Sequence, residues 1–175
     1  MEEEIENKIE KKIQKGALNI VEPNKFFPDG ERIEYDIKDN LYEGVILKEK
    51  DFREFVKEYD WSRYEGKYVA INCSVDAVVP SWAYMLLASS MAPYAKKVIF
   101  GTKQDLEKEL LKEAIESFDA KKYEGGRVIV KGCGDERVDE DAYVRLTTKL
   151  QPYAKSINYG EPCSMVSVFK RSRKK

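Results

Sequence analysis

The feature that most constrains this chain is an internal repeat. Residues 83–101 read AYMLLASSMAPYAKKVIFG, and residues 142–160 read AYVRLTTKLQPYAKSINYG. The two stretches align without a gap over nineteen positions and share eight identities, where average composition would give about one. Upstream of each copy a β-branched run leads into a cysteine, Cys73 in VAINC and Cys133 in VIVKGC. The unit therefore reads strand, cysteine, loop, helix, Pro-Tyr-Ala-Lys, strand, glycine. Pro93 and Pro152 stop their helices, and Tyr94 and Tyr153 are expected to cover the core beside them. Two copies are too few for a solenoid, so the expectation is two βαβ units sharing one sheet.

The surrounding pattern extends this alternation. Phe52, Phe55 and Val56 repeat at helical spacing over 49–59. Ser81–Met91 is an apolar helix with Pro80 just before it. Leu106, Leu110, Leu111 and Ile115 mark one face of a helix over 105–118, and Asp139 is placed to cap another over 141–150. Strands are predicted at 67–72, 98–100, 128–130, 157–159 and 166–169. Before them, Ile5, Ile9 and Ile13 stand four apart, which predicts an N-terminal helix over 1–15 that Gly16 ends. Alternation at Ile33, Tyr35 and Ile37 and again around Val45–Leu47, with Asp39-Asn40 between, predicts an antiparallel hairpin. The fold class that follows is α/β: a mostly parallel sheet flanked by helices, built on duplicated units at about 67–101 and 127–160, in a single domain spanning 1–175.

Charge and composition narrow the function. The 31 Lys and Arg almost cancel the 32 Asp and Glu, so no domain-wide basic field exists to hold nucleic acid. The ends are polarised, acidic at Glu2, Glu3, Glu4 and Glu6 and basic over 170–175, and read as solvated tails. The start resembles no export signal, and the apolar run Val69–Met91 is broken by Asn72, Asp76 and Pro80, so no membrane association is expected. A protein partner is left open. Histidine is absent from the whole chain, which removes Ser–His–Asp and Cys–His catalysis.

Three cysteines, with no export signal, point to reduced thiols in the cytoplasm rather than a disulfide framework. Cys73 and Cys133 each follow a strand and precede a helix, and Cys163 in Gly-Glu-Pro-Cys-Ser follows the second copy's last strand. In a parallel sheet, ligands bind outside the carboxyl ends of the strands. If the three strands were neighbours, the sulfurs would converge on one ion or cluster. Three thiolates with Asp76 or Asp135 suit zinc, and three alone suit an iron–sulfur cluster with one open iron. The leading expectation is thus a metal site of Cys73, Cys133, Cys163, Asp76 and Asp135. Two alternatives stand beside it: an interaction module whose cysteines merely pack, and a thiol-dependent enzyme. Lys96 and Lys155 are candidates for an anion or for the helix dipole, and Trp82, Tyr84 and Met85 for a pocket wall or the core.

The stretches 30–61, 68–87, 93–101, 130–135 (VKGCGD), 150–155 (LQPYAK) and 159–164 (YGEPCS) together resemble a family of bacterial proteins, domain of unknown function 2480. The resemblance covers nearly the whole chain, cysteine segments included, and brings no established activity. It implies company with iron–sulfur cluster assembly, which suits the cysteines and makes cluster assembly or handling the expected role.

Overall fold

The computed structural model describes residues 18–132 and 134–172. The N-terminal helix expected over 1–15 and Cys133 lie outside the described residues. Along the rest run β1 (Leu18–Val21), β2 (Arg32–Asp36), α1 (Glu49–Glu58), β3 (Tyr68–Asn72), α2 (Ser81–Met91), β4 (Lys97–Phe100), α3 (Lys103–Ser117), β5 (Arg127–Val130), α4 (Glu140–Leu150), β6 (Ser156–Glu161) and β7 (Ser164–Lys170). The protein is a mixed α/β fold whose strands are mostly parallel. No helix among the described residues is long and apolar enough to cross a membrane.

The chain divides into two compact units, one of residues 29–109 and the other of residues 18–28 with 110–172. In the first, β2, β3 and β4 form a parallel sheet in that order. Its core is made by Tyr35, Ile37, Val69 and Ile71 from the β2 and β3 segments, Phe52 and Val56 of α1, and Ala83, Leu87 and Met91 of α2. Those α2 residues stand four apart, so an almost uniformly apolar helix still presents one fully buried line. Each Val, Leu, Ile, Phe or Met side chain so buried contributes roughly 1.5–3 kcal/mol. In the second unit the order is β1-β5-β6-β7, parallel except for the antiparallel β6–β7 pair. Ala142, Leu146 and Leu150 of α4, with Leu111 and Ile115 of α3, bury against Val128, Val130 and Ile157.

Entry into the central strand is built alike in both units. Asp60 accepts a hydrogen bond from Ser62 N at 3.1 Å and caps a single helical turn, Trp61–Tyr64. Asp119 does the same with Lys121 N at 3.1 Å for Ala120–Tyr123. Next, Gly66 (φ +68°) and Gly125 (φ +70°) turn the chain through the left-handed region, which glycine enters without a Cβ penalty. Their amides donate to Tyr94 O and Tyr153 O, each at 3.0 Å, while Lys96 N and Lys155 N donate to Lys67 O and Gly126 O at 2.8 Å. The Pro-Tyr-Ala-Lys connector thus acts through its backbone in both units, and in the second also through side chains, with Ala154 buried in the core and Tyr153 packed against it as expected. Tyr94 is 39% exposed and is not among the residues packed on the core of its unit.

Two expectations are corrected. The strands do not share one sheet: β3 lies in a different sheet from β5 and β6, because β1 and β2 each supply a separate parallel neighbour. The antiparallel hairpin over 33–47 is also absent. β2 pairs in parallel with β3, Ile37–Asn40 is a helical turn, and only an isolated antiparallel bridge joins Tyr42 to Ile46. The alternation at 33–37 marked a real strand whose partner lies more than thirty residues away.

Candidate functional site

At the carboxyl end of the β2-β3-β4 sheet, two carboxylates tie the strand ends together. Glu34 accepts from Asn72 Nδ2 at 2.7 Å and from Lys103 N, the first residue of α3, at 3.0 Å. Asp36 accepts from Ser74 N at 3.1 Å and Lys38 N at 3.0 Å, and pairs with Lys38 Nζ at 3.1 Å. Desolvation pushes the Asp36 carboxyl up, but the bonds from Ser74 and Lys38 outweigh it and bring it down to about 2. Asn72 Oδ1, buried beside this network, makes no hydrogen bond. Cys73 follows β3, half-buried against the core, and its thiol donates to Val75 O at 3.4 Å. Burial first, then Cys73 and Asp36, push the Tyr84 hydroxyl up. Most donors and acceptors at this sheet edge are therefore committed to one another, and the amino end of α3 is already filled by Glu34 and by Asp105, which accepts from Thr102 N at 2.8 Å.

The other predicted ligands are placed differently. Cys163 is exposed in the turn between β6 and β7, in the unit that does not contain Cys73. Asp135 is held in a two-point pair by Arg137, at 2.9 and 2.6 Å, and this hydrogen bonding lowers its pKa. Arg137 in turn lies over the Phe27 ring, 4.3 Å from its centroid. Asp76 is exposed. Among the described residues no group of three or more Cys, Asp, Glu or His side chains could hold a metal ion. The three-cysteine zinc or iron–sulfur site is thereby overturned. Its physical premise, three adjacent strands in one sheet, fails because the strands preceding the cysteines belong to two sheets. The packing alternative describes Cys73 but not Cys163.

A different feature emerges in the second unit, between α4 and the β6–β7 hairpin. Tyr143 and Val144 of α4, Ile157 and Tyr159 of β6 and Val168 of β7 line an apolar groove of about 520 Å³. Val144 is 63% and Val168 51% exposed. Tyr143 and Tyr159 meet edge to face at 5.6 Å, which fixes the groove wall. Position for position, fifty-nine residues earlier, Tyr84 and Phe100 meet edge to face at 5.1 Å, and Met85 stands at the place of Val144. Met85 and Phe100 are 70% and 71% exposed. Met85 therefore faces solvent, neither core nor enclosed pocket, and the repeat itself was the signal that could have singled out Val144. Val168 carried none, because β7 owes its place to an antiparallel pairing that the alternation of strand and helix does not foretell.

No curated protein and no solved structure matches this chain. Its sequence matches a family described as protein of unknown function (DUF2480) over residues 4–171. That span is nearly the whole chain, and this protein belongs to the DUF2480 family.

Proposed function

We propose that this protein is a binding module that receives an apolar segment of a partner protein in the groove between α4 and the β6–β7 hairpin. The observation that carries the reading is a contiguous wall of exposed Val144, Tyr159 and Val168 around a preformed cavity. Water-exposed aliphatic side chains grouped on one rigid surface mark interaction sites more often than isolated ones do. The groove is framed by a helix and two strands, so little ordering entropy opposes docking. Edge-to-face tyrosines supply flat apolar walls.

The same reading takes the chain as an internal duplication. Support comes from the matched caps at Asp60 and Asp119, the matched glycine turns, and the matched aromatic pairs, all fifty-nine residues apart. The exposed Met85 and Phe100 would then be a second, related apolar surface.

A photo-crosslinking residue at position 144, introduced in the producing cell, tests the reading. A discrete adduct that disappears when Val168→Glu is added is the expected result. Adducts no different from those formed at Lys112 on α3, or surviving Val168→Glu, would refute it.

A further inference from the structure

The opposite end of the β1-β5-β6-β7 sheet carries a second feature. Leu18 pairs with Arg127, Arg127 with Ser156, and Ser156 with Lys170, so these four residues form one row across four strands. At a strand spacing of ~4.8 Å, the Arg127 and Lys170 backbones stand about 10 Å apart with their side chains on the same face. Lys155 adjoins the row at the start of β6. A register irregularity between Ile157 and Asn158 then brings Ser167 beside Asn158. Together Arg127, Lys155, Lys170 and Arg171, with Ser156 and Ser167, line a cavity of about 910 Å³.

The charge in this cavity is one-sided. No Asp or Glu is among its described lining residues. Lys25, Lys38, Arg53, Lys67, Lys97, Lys131, Arg137 and Arg145 each have a carboxylate partner. By contrast, the side chains of Arg127, Lys155 and Lys170 make no hydrogen bond or ion pair among the described residues. Arg171 is held in place: its guanidinium donates to Gln151 O at 3.0 Å and Pro152 O at 2.6 Å, the carbonyls that end α4. One cation is therefore fixed and three are free to turn inward.

At low ionic strength, where the Debye length of about 30 Å exceeds the span of the row, these cations repel one another, and a multivalent anion relieves the repulsion. The hydroxyls of Ser156 and Ser167 and the amide of Asn158 add neutral donors to the same face. A row of donors about 10 Å long suits a chain of linked phosphates and exceeds the reach of a single tetrahedral anion. We infer that this cavity binds a compact polyanion with two or more linked phosphate groups. Asn158 lines both this cavity and the apolar groove, but the inference does not rest on the groove reading. The shared chemistry is the phosphate chain, free or carried by a nucleotide.

Calorimetric titration of the full chain with inorganic tripolyphosphate at low salt tests the site. One-to-one binding is expected, weaker for single inorganic phosphate, and reduced about tenfold for each cation removed in Arg127→Gln, Lys155→Gln and Lys170→Gln. All three positions are exposed, so the variants should keep the parent's unfolding midpoint. Arg127→Lys should retain most of the affinity, and Lys57→Gln on α1 of the other unit all of it. Equal affinity for adenosine triphosphate assigns recognition to the phosphates alone, whereas tighter binding assigns it to a nucleotide. Absence of tripolyphosphate binding, as would follow if carboxylates already neutralise the cavity, overturns the inference. So does affinity that is unchanged in the triple variant or lost equally in Lys57→Gln.

Discussion

The two sheets carry the same kind of residue at the start of their strands and treat it in opposite ways. In the unit of residues 29–109 the row is Arg32, Tyr68 and Lys97. Arg32 pairs with Glu107 at 3.3 Å and Lys97 with Glu109 at 3.9 Å, both acids coming from α3. Arg32 also lies over the Tyr68 ring, 5.1 Å from its centroid. In the other unit the row is Leu18, Arg127, Ser156 and Lys170, and no described carboxylate lies over it. The sheet plan alone does not decide whether a basic row is structural or available. In the first sheet Glu107 and Glu109 of α3 make the row structural.

The comparison can be broken most severely at Glu107. Arg32 and Glu107 have side chains only 10% and 8% exposed, so Glu107→Gln removes the carboxylate facing a largely buried guanidinium and should cost about 3–5 kcal/mol in denaturant unfolding. The paired replacement Arg32→Met with Glu107→Leu should recover most of that loss. A cost for Glu107→Gln no greater than for Arg127→Gln would end the distinction between the rows. Next in size is ligand stabilisation. Tripolyphosphate at a hundred times its dissociation constant should raise unfolding stability by about 2.7 kcal/mol, an effect absent from the triple variant.

The caps sharpen the likeness rather than the difference. Asp60→Ala and Asp119→Ala should each cost about 1 kcal/mol, with similar values expected because each caps the same kind of turn. A further effect concerns acid. Asp36 is lowered in the folded protein to about 2 from an ordinary 3.8, so it contributes stability that is present above the ordinary value. That contribution is lost as the pH falls from near 4 towards 2. Asp36→Asn should flatten this part of the acid-unfolding curve. An unchanged curve would show that the Ser74 and Lys38 bonds do not favour the ionised carboxyl.

Much of the fold was legible because helices announce themselves locally. Leu106, Leu110, Leu111 and Ile115 located α3, and the Ser81–Met91 bounds of α2 follow from Pro80 and the apolar run. Asp139 was readable as a cap and accepts from Ala142 N at 3.2 Å. Strand partners were not legible. Ile33, Tyr35 and Ile37 alternate correctly, yet nothing local says that their segment pairs with Tyr68–Asn72 in parallel. β1 is only four residues long with Leu18 and Ile20 exposed, too weak a pattern to stand out. The division into two sheets follows from those two strands, and the failure of the cysteine site follows from the division. Lys155 was legible in the sequence as a candidate for an anion or for the helix dipole. Its meeting with Arg127 and Lys170 depends on a register across three strands.

Amide chemical-shift mapping during tripolyphosphate titration tests the contrast between the two rows most directly. The account predicts saturable shifts at Leu18, Arg127, Ser156 and Lys170 and none at Arg32, Tyr68 and Lys97. Shifts spread equally over both rows, or confined to the Arg32 row, would contradict it.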